Sequence, residues 1–139
     1  MSTGHAVRRP SFRRGAAAVE FAVVAPLLFT FVFASIEFER VIMAVNALEE
    51  AARGGARVAV LEDATTTRIE AAVEDVLNIA GVDGYTVTVT PTAFRSVDSW
   101  NPITVTVTAT FADIAWLPTP SFLADIPFTA ACTLPKEAT

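Results

Sequence analysis

Residues Phe21 to Ile36 read FAVVAPLLFTFVFASI, sixteen consecutive positions without a charged side chain. Extended back to Ala16, the apolar stretch covers twenty-one residues, enough to cross a hydrocarbon core of about 30 Å as a helix. This run constrains the chain more than any other feature, because a soluble domain has no way to cover so long a ribbon of Phe, Val and Leu. With 139 residues, 53% hydrophobic and 18% charged, the chain is too apolar to be disordered and too short for two ordinary domains. The expectation is one membrane-spanning helix followed by one small domain.

Charge falls unevenly about the span. Of ten basic residues, four (Arg8, Arg9, Arg13, Arg14) precede residue 16, and none of the fifteen acidic residues does. The net −5 therefore divides into +4 before residue 16 and −9 after it. A basic leader, an apolar span and an acidic remainder is the order expected when the N-terminus stays in the cytoplasm and the rest crosses the inner membrane. No basic patch follows the leader, which argues against nucleic acid as a partner.

The span has one costly residue. Glu20 stands near its start, and an acid at the centre of a membrane helix costs about 2.5–3.5 kcal/mol, less near an end. Two accounts are open: Glu20 is solvated among the headgroups, or the carboxylate finds a partner inside the membrane.

Beyond Ile36 the helical pattern continues. Phe38, Val41, Val45, Leu48, Ala52, Gly55 and Ala59 recur at three- and four-residue steps, with Glu39, Arg40, Asn46, Glu49, Glu50, Arg53 and Arg57 on the other face. One helix over 16–61 would measure about 69 Å, bent at Pro26 inside the bilayer and either kinked or closely packed at Gly54-Gly55. The small residues from Ala51 to Ala56 suit two roles, packing on a sheet of the same chain or meeting another subunit.

The stretch RRGAAAVEFAVVAPLLFTFVFASIEFER, followed by ALEEAARGGARVAVL, resembles the TadE-like family, pseudopilin-type components of Flp (tight-adherence) pilus systems. The resemblance rests on Arg14-Gly15, Ala18-Val19-Glu20-Phe21, Pro26-Leu27, Ile36-Glu37-Phe38, Arg40, Ala51-Ala52-Arg53 and Gly55-Ala56-Arg57. The sequence departs from the family pattern at Glu39, commonly glycine, and at Gly54, often an acid.

The resemblance implies a class III signal peptide. A prepilin peptidase would cut after Gly15, leaving Ala16 as the first residue, Glu20 as the fifth and Phe21 beside it. It also implies assembly with other pilin-like subunits and a pilus platform, with adhesion, secretion and DNA uptake all open as the use of the assembled structure. In that setting Glu20 can neutralise the ammonium freed on Ala16, its own or a neighbour's.

Past residue 61 the pattern changes to that of a small α+β domain. Thr67-x-x-Glu70 has the form of a capping box opening a second helix of about thirteen residues, with Ile69, Val73, Val76, Leu77 and Ala80 on one face and Gly81 as its stop. Strict alternation predicts strands at 85–90, 103–111 and 128–134. The expected architecture is pilin-like: a long N-terminal membrane-spanning helix and a second helix packed on a small antiparallel three-stranded sheet. The parts are a leader (1–15), a membrane span (16–36), its extracytoplasmic continuation (37–61) and the α+β domain (62–139).

Two loops are rich in aromatics. Residues 91–102 hold Phe94, Arg95 and Trp100, and residues 112–127 hold Trp116, Leu117, Phe122 and Leu123. They suit either an interaction hot spot or a cover for the end of the sheet. The candidate subunit contacts are Glu20, Pro26, Arg53, Gly55, Arg57, Trp100 and Trp116.

No catalytic, cofactor or metal site is expected. The only histidine, His5, is in the leader, and the lone Cys132 sits among alternating strand residues as a packing residue. Asp98 and Asp113 are the one carboxylate pair that strands could bring together. The expected function is structural, a minor pilin or pseudopilin. The alternative is an unprocessed, membrane-anchored extracytoplasmic binding module that uses the aromatic loops.

Overall fold

The computed structural model describes residues 12–137. They fall into two compact units divided between Ile36 and Glu37. Helix α1 (Phe12–Ala59) supplies the first unit and the first element of the second. Within the second follow α2 (Thr66–Ala80), β1 (Thr86–Thr90), a short 3-10 turn at Phe94–Ser96, β2 (Pro102–Thr110), the one-turn helices α3 (Phe111–Ile114) and α4 (Ser121–Ala124), and β3 (Pro127–Pro135). The α+β arrangement expected from the sequence is present.

In the first unit nearly every side chain from residue 15 to 36 faces outward, including Phe21, Leu27, Phe29, Phe31 and Phe33. This helix is long and apolar enough to cross a membrane, and its uncovered surface is one that lipid, rather than water, can solvate. Its hydroxyls are satisfied internally: Thr30 donates to the Pro26 carbonyl at 2.8 Å and Ser35 to the Phe31 carbonyl at 2.8 Å. Without water, such closure to the carbonyl four residues back is how a hydroxyl is tolerated in hydrocarbon.

In the second unit the strands form an antiparallel meander in the order β1-β2-β3. Val105 pairs with both Val89 and Cys132, and Val107 with Val87 and Ala130. Alternation puts Ile103, Val105, Val107 and Ala109 on the helix-covered face, all buried, and each such Val or Ile contributes about 1.5–3 kcal/mol on full burial. The opposite face is a threonine ladder, with hydroxyl pairs Thr104–Thr133 at 2.7 Å and Thr108–Thr129 at 3.1 Å.

Helix α1 enters the core shared with this sheet and α2 through Ala44, Leu48, Ala51, Ala52, Gly55, Ala56 and Ala59, all buried. The expected stripe began at Phe38, but Phe38 is 69% exposed and the buried seam begins at Ala44. Larger side chains keep a helix at a distance; the alanines let α1 settle closely. Gly55 marks the tightest approach: a β-carbon there would stand 3.0 Å from Val73 Cγ2 and 3.1 Å from Val105 Cγ1. The small-residue run is therefore used inside its own domain.

Helix α2 starts at a different threonine from the one expected. Thr65, not Thr67, is the cap, its hydroxyl accepting the Arg68 N–H at 3.3 Å. Three successive threonines offer equivalent caps, and burial of Ala64 and Ile69 on either side selects the first. The helix stops at Gly81 as expected, in the left-handed region (φ 69°), with Val82 N–H donating to Leu77 O at 3.1 Å. Buried Val82 and Leu77 complete this Schellman closure. Beyond it, burial and then the carboxylates of Glu74 and Glu70 raise the Tyr85 phenol above its ordinary value near 10. That raised value gives stability present below pH 10 and lost as pH climbs through the folded-state value.

Two neighbouring glycines should respond oppositely to substitution. At Gly54 the nearest atom to an added β-carbon is Ala72 O at 3.8 Å, so Gly54→Ala should stabilise the domain by up to about 1 kcal/mol through helix propensity. Gly55→Val should destabilise it by about 1–3 kcal/mol or more through overpacking. Thermal unfolding of the full chain in detergent micelles reads both; a Gly55→Val protein as stable as the parent would contradict the close approach.

Candidate functional site

The residues singled out in the sequence fall in separate places. Arg8 and Arg9 lie outside the described residues, and Arg13 and Arg14 are in the first turns of α1. Gly15, Ala16, Glu20 and Phe21 follow on the same helix, all exposed. At Gly15 an added β-carbon would find no described atom within 4 Å. Packing among the described residues thus supplies no reason for glycine there. Glu20 stands between exposed Val19 and Phe21, a carboxylate on an otherwise apolar helix surface. Pro26 lies within α1, and the helix continues through it.

In the second unit, Arg53 and Arg57 face solvent on α1. Arg53 pairs with Glu49 at 2.7 Å and with Glu50 at 3.4 Å; exposed helix pairs of this kind contribute only about 0.3–0.5 kcal/mol. Gly55 is in the core, as described. Cys132 is half-buried on the edge strand β3 and lines, with Val45, Leu48, Glu49, Arg53 and Phe128, a groove of about 330 Å³ between α1 and β3.

Each aromatic loop turns one residue inward and another outward. In the first, Phe94 is buried while Trp100 is 73% exposed. Its backbone sits at φ 72°, a strained region for so bulky a residue. The strain is held by exchange with the C-terminal segment: Trp100 N–H donates to Lys136 O at 3.1 Å, and Lys136 N–H donates to Asn101 O at 3.0 Å. The Lys136 ammonium also donates to Arg95 O at 2.7 Å. In the second loop Ile114 is buried while Trp116 is 69% exposed.

These tryptophans do not form one site. Trp100 precedes β2 and Trp116 follows it, so they lie toward opposite ends of a nine-residue strand, roughly 27 Å long at 3.4 Å per residue. Asp98 and Asp113 are separated in the same way. Asp113 has a local task, accepting from the Thr110 N–H at 2.9 Å and the Thr110 hydroxyl at 2.6 Å as the capping box of α3. The second predicted strand, 103–111, was expected to include Phe111; instead the box ends β2 at Thr110 and makes Phe111 the first residue of a helix. Thr110-x-x-Asp113 is the sequence signal for that turn.

The contact that sequence reasoning missed is made by Glu37. Its carboxylate accepts the Leu117 N–H at 2.7 Å and the Trp116 N–H at 3.1 Å. One turn on, Arg40 donates from Nη2 to the Ile114 carbonyl at 3.3 Å. Two charged residues of α1, three apart and therefore on one face, thus hold the segment 114–117 by its backbone. Backbone contacts of this kind leave no mark on side-chain pattern.

With this geometry in view, comparison with known families is informative. Residues 15–57 match the model of the family described as TadE-like protein. Over these residues the chain is similar to the TadE-like family, and the match suggests a Tad-pilus context. The matched stretch contains Gly15, Glu20, Glu37, Arg40 and Gly55, and ends before α2 and the sheet. No curated protein and no solved structure matches the chain.

The Glu37 contact is testable. Hydrogen bonds to a charged acceptor contribute about 1.5–3 kcal/mol when shielded, and less where the carboxylate is half-exposed as here. Glu37→Leu should speed hydrogen exchange at the Trp116 and Leu117 amides about tenfold or more, while Glu39→Leu, on the exposed face, should leave them unchanged. Unaltered exchange in Glu37→Leu would contradict the assignment.

Proposed function

We propose that this protein is a minor pilin or pseudopilin of a Flp-type, tight-adherence pilus. It is inserted in the bacterial cytoplasmic membrane with its basic leader inside and its α+β domain outside, cut after Gly15 by a prepilin peptidase, and assembled with other pilin-like subunits. Its role is structural rather than enzymatic.

The observation that carries this reading is Glu20. A carboxylate exposed on an apolar membrane helix is a net cost to a plain anchor. It becomes useful when a cation is buried beside it, and cutting after Gly15 would create one, the ammonium of Ala16, one helical turn away. Gly15 supports the same reading: no contact with the described residues requires glycine there, whereas an external peptidase would select it.

The exposure of Trp100 and Trp116 favours a second reading, an unprocessed anchored domain that binds an envelope partner through these loops. Glu20 separates the two. In an anchor, Glu20→Leu removes a desolvation cost and leaves function intact. In an assembling subunit it strands a buried ammonium, and losing one partner of a buried ion pair costs about 3–5 kcal/mol.

Glu20→Leu should therefore be produced, inserted and processed at the parental level yet fail to support pilus formation, with Glu20→Asp partly active. Pili per cell, counted beside membrane level and processing of each variant, test this. Normal piliation with Glu20→Leu would remove the carboxylate from assembly.

A further inference from the structure

The backbone held by Glu37 belongs to an unusual segment. From Ile114 to Ala124 the sequence IAWLPTPSFLA has no charged residue, although it is a surface connection between β2 and β3. Its large apolar side chains face outward: Trp116 is 69% exposed, Leu117 39% and Phe122 78%. On α1 beside Glu37, Phe38 is also 69% exposed. Pro118 and Pro120 carry no backbone N–H, and the Trp116 and Leu117 N–H groups are already donated to Glu37. Four of the five positions from 116 to 120, namely 116, 117, 118 and 120, therefore have no free backbone donor to desolvate. That lowers the cost of taking the segment out of water.

Its depth follows from chain continuity. Glu37 is the first charged residue after the uncharged run 21–36 and the next residue along the same helix. Where α1 crosses a bilayer, Glu37 is the point at which it leaves the hydrocarbon. The Trp116 and Leu117 amides are within 3.1 Å of the Glu37 carboxylate, so the backbone that carries these two exposed side chains starts at that same residue of α1. Tryptophan is the side chain enriched there, its ring matched to the headgroup boundary.

We propose that the Trp116–Leu117 tip, with Phe38, is a second membrane contact, seated in the headgroup–acyl boundary of the leaflet from which α1 emerges. Lipid is its occupant because Glu37, which holds the loop, directly follows the apolar run in sequence, and the loop carries no charged residue between Asp113 and Asp125. The Glu37 carboxylate, capped by two backbone amides, is what ties the loop to α1 just past the apolar run. The contact rests on the membrane helix and not on pilus assembly; an unprocessed anchor would make it equally.

The chain contains two tryptophans, and Trp100, exposed beyond the other end of β2, is the internal control. The full chain would be reconstituted into phosphatidylcholine vesicles, with insertion verified by resistance to alkaline extraction. Trp100→Phe leaves Trp116 as the reporter, and Trp116→Phe leaves Trp100. In vesicles brominated close to the headgroup, the Trp116 emission should be blue-shifted and lose most of its intensity, while Trp100 keeps a water-like, unquenched emission.

An inserted protein whose Trp116 is unquenched would overturn the proposal. So would a Trp116 shielded from aqueous acrylamide yet insensitive to brominated lipid, since another protein copy would then be the cover. Equal quenching of both tryptophans would also overturn it, by removing the distinction between the two ends. Failure to insert would overturn the membrane assignment of α1 together with this contact, whereas the other outcomes leave that assignment standing.

Discussion

The second unit depends on how closely α1 can approach β2. On its side α1 contributes five alanines, one leucine and one glycine to the buried core that also holds Ile103, Val105 and Val107. At Gly55 the spacing is so short that the first atom of a side chain would touch both Val73 and Val105. Small residues bury little area each, so the gain comes from the large strand and α2 side chains that reach the helix backbone. That explains why the largest fully buried side chains are mostly on α2 and β2, with Leu48 the exception on α1.

Much of this arrangement was legible in the sequence because it is carried by periodicity. The two-residue alternation of 103–109 has one physical solution once a helix must cover it, and all three strands occur within a residue or two of their expected bounds. The Gly81 stop was equally readable, since few residues other than glycine accept the left-handed backbone that closes α2. Where several residues could do one job, sequence did not discriminate. Thr65, Thr66 and Thr67 compete to cap α2, and tertiary burial of Ala64 and Ile69 decided it. Phe38 fitted the helical stripe by spacing but lies before the sheet-covered seam. The Glu37 contact was unreadable for another reason: it joins a side chain to backbone amides seventy-nine and eighty residues away, and an amide has no sequence signature.

The two glutamates at the margins of the apolar run connect fold and proposed function. Glu20 lies just before the uncharged stretch and Glu37 just after it. The later one is engaged within its own chain, by the Trp116 and Leu117 amides. The earlier one is exposed among apolar side chains, and its use is assigned to assembly. The TadE-like match spans both, while the α+β domain beyond residue 57 lies outside it. The match thus covers the helix and its charged margins and does not reach the sheet with its aromatic loops.

The central claim is that this helix is delivered to an assembly by cutting after Gly15, which creates the ammonium that gives Glu20 a purpose. The most direct measurement is the mass of the N-terminal peptide of the protein isolated from cells expressing the whole pilus system. The account predicts a chain that starts at Ala16. A chain that still carries residues 1–15 in those cells would contradict it.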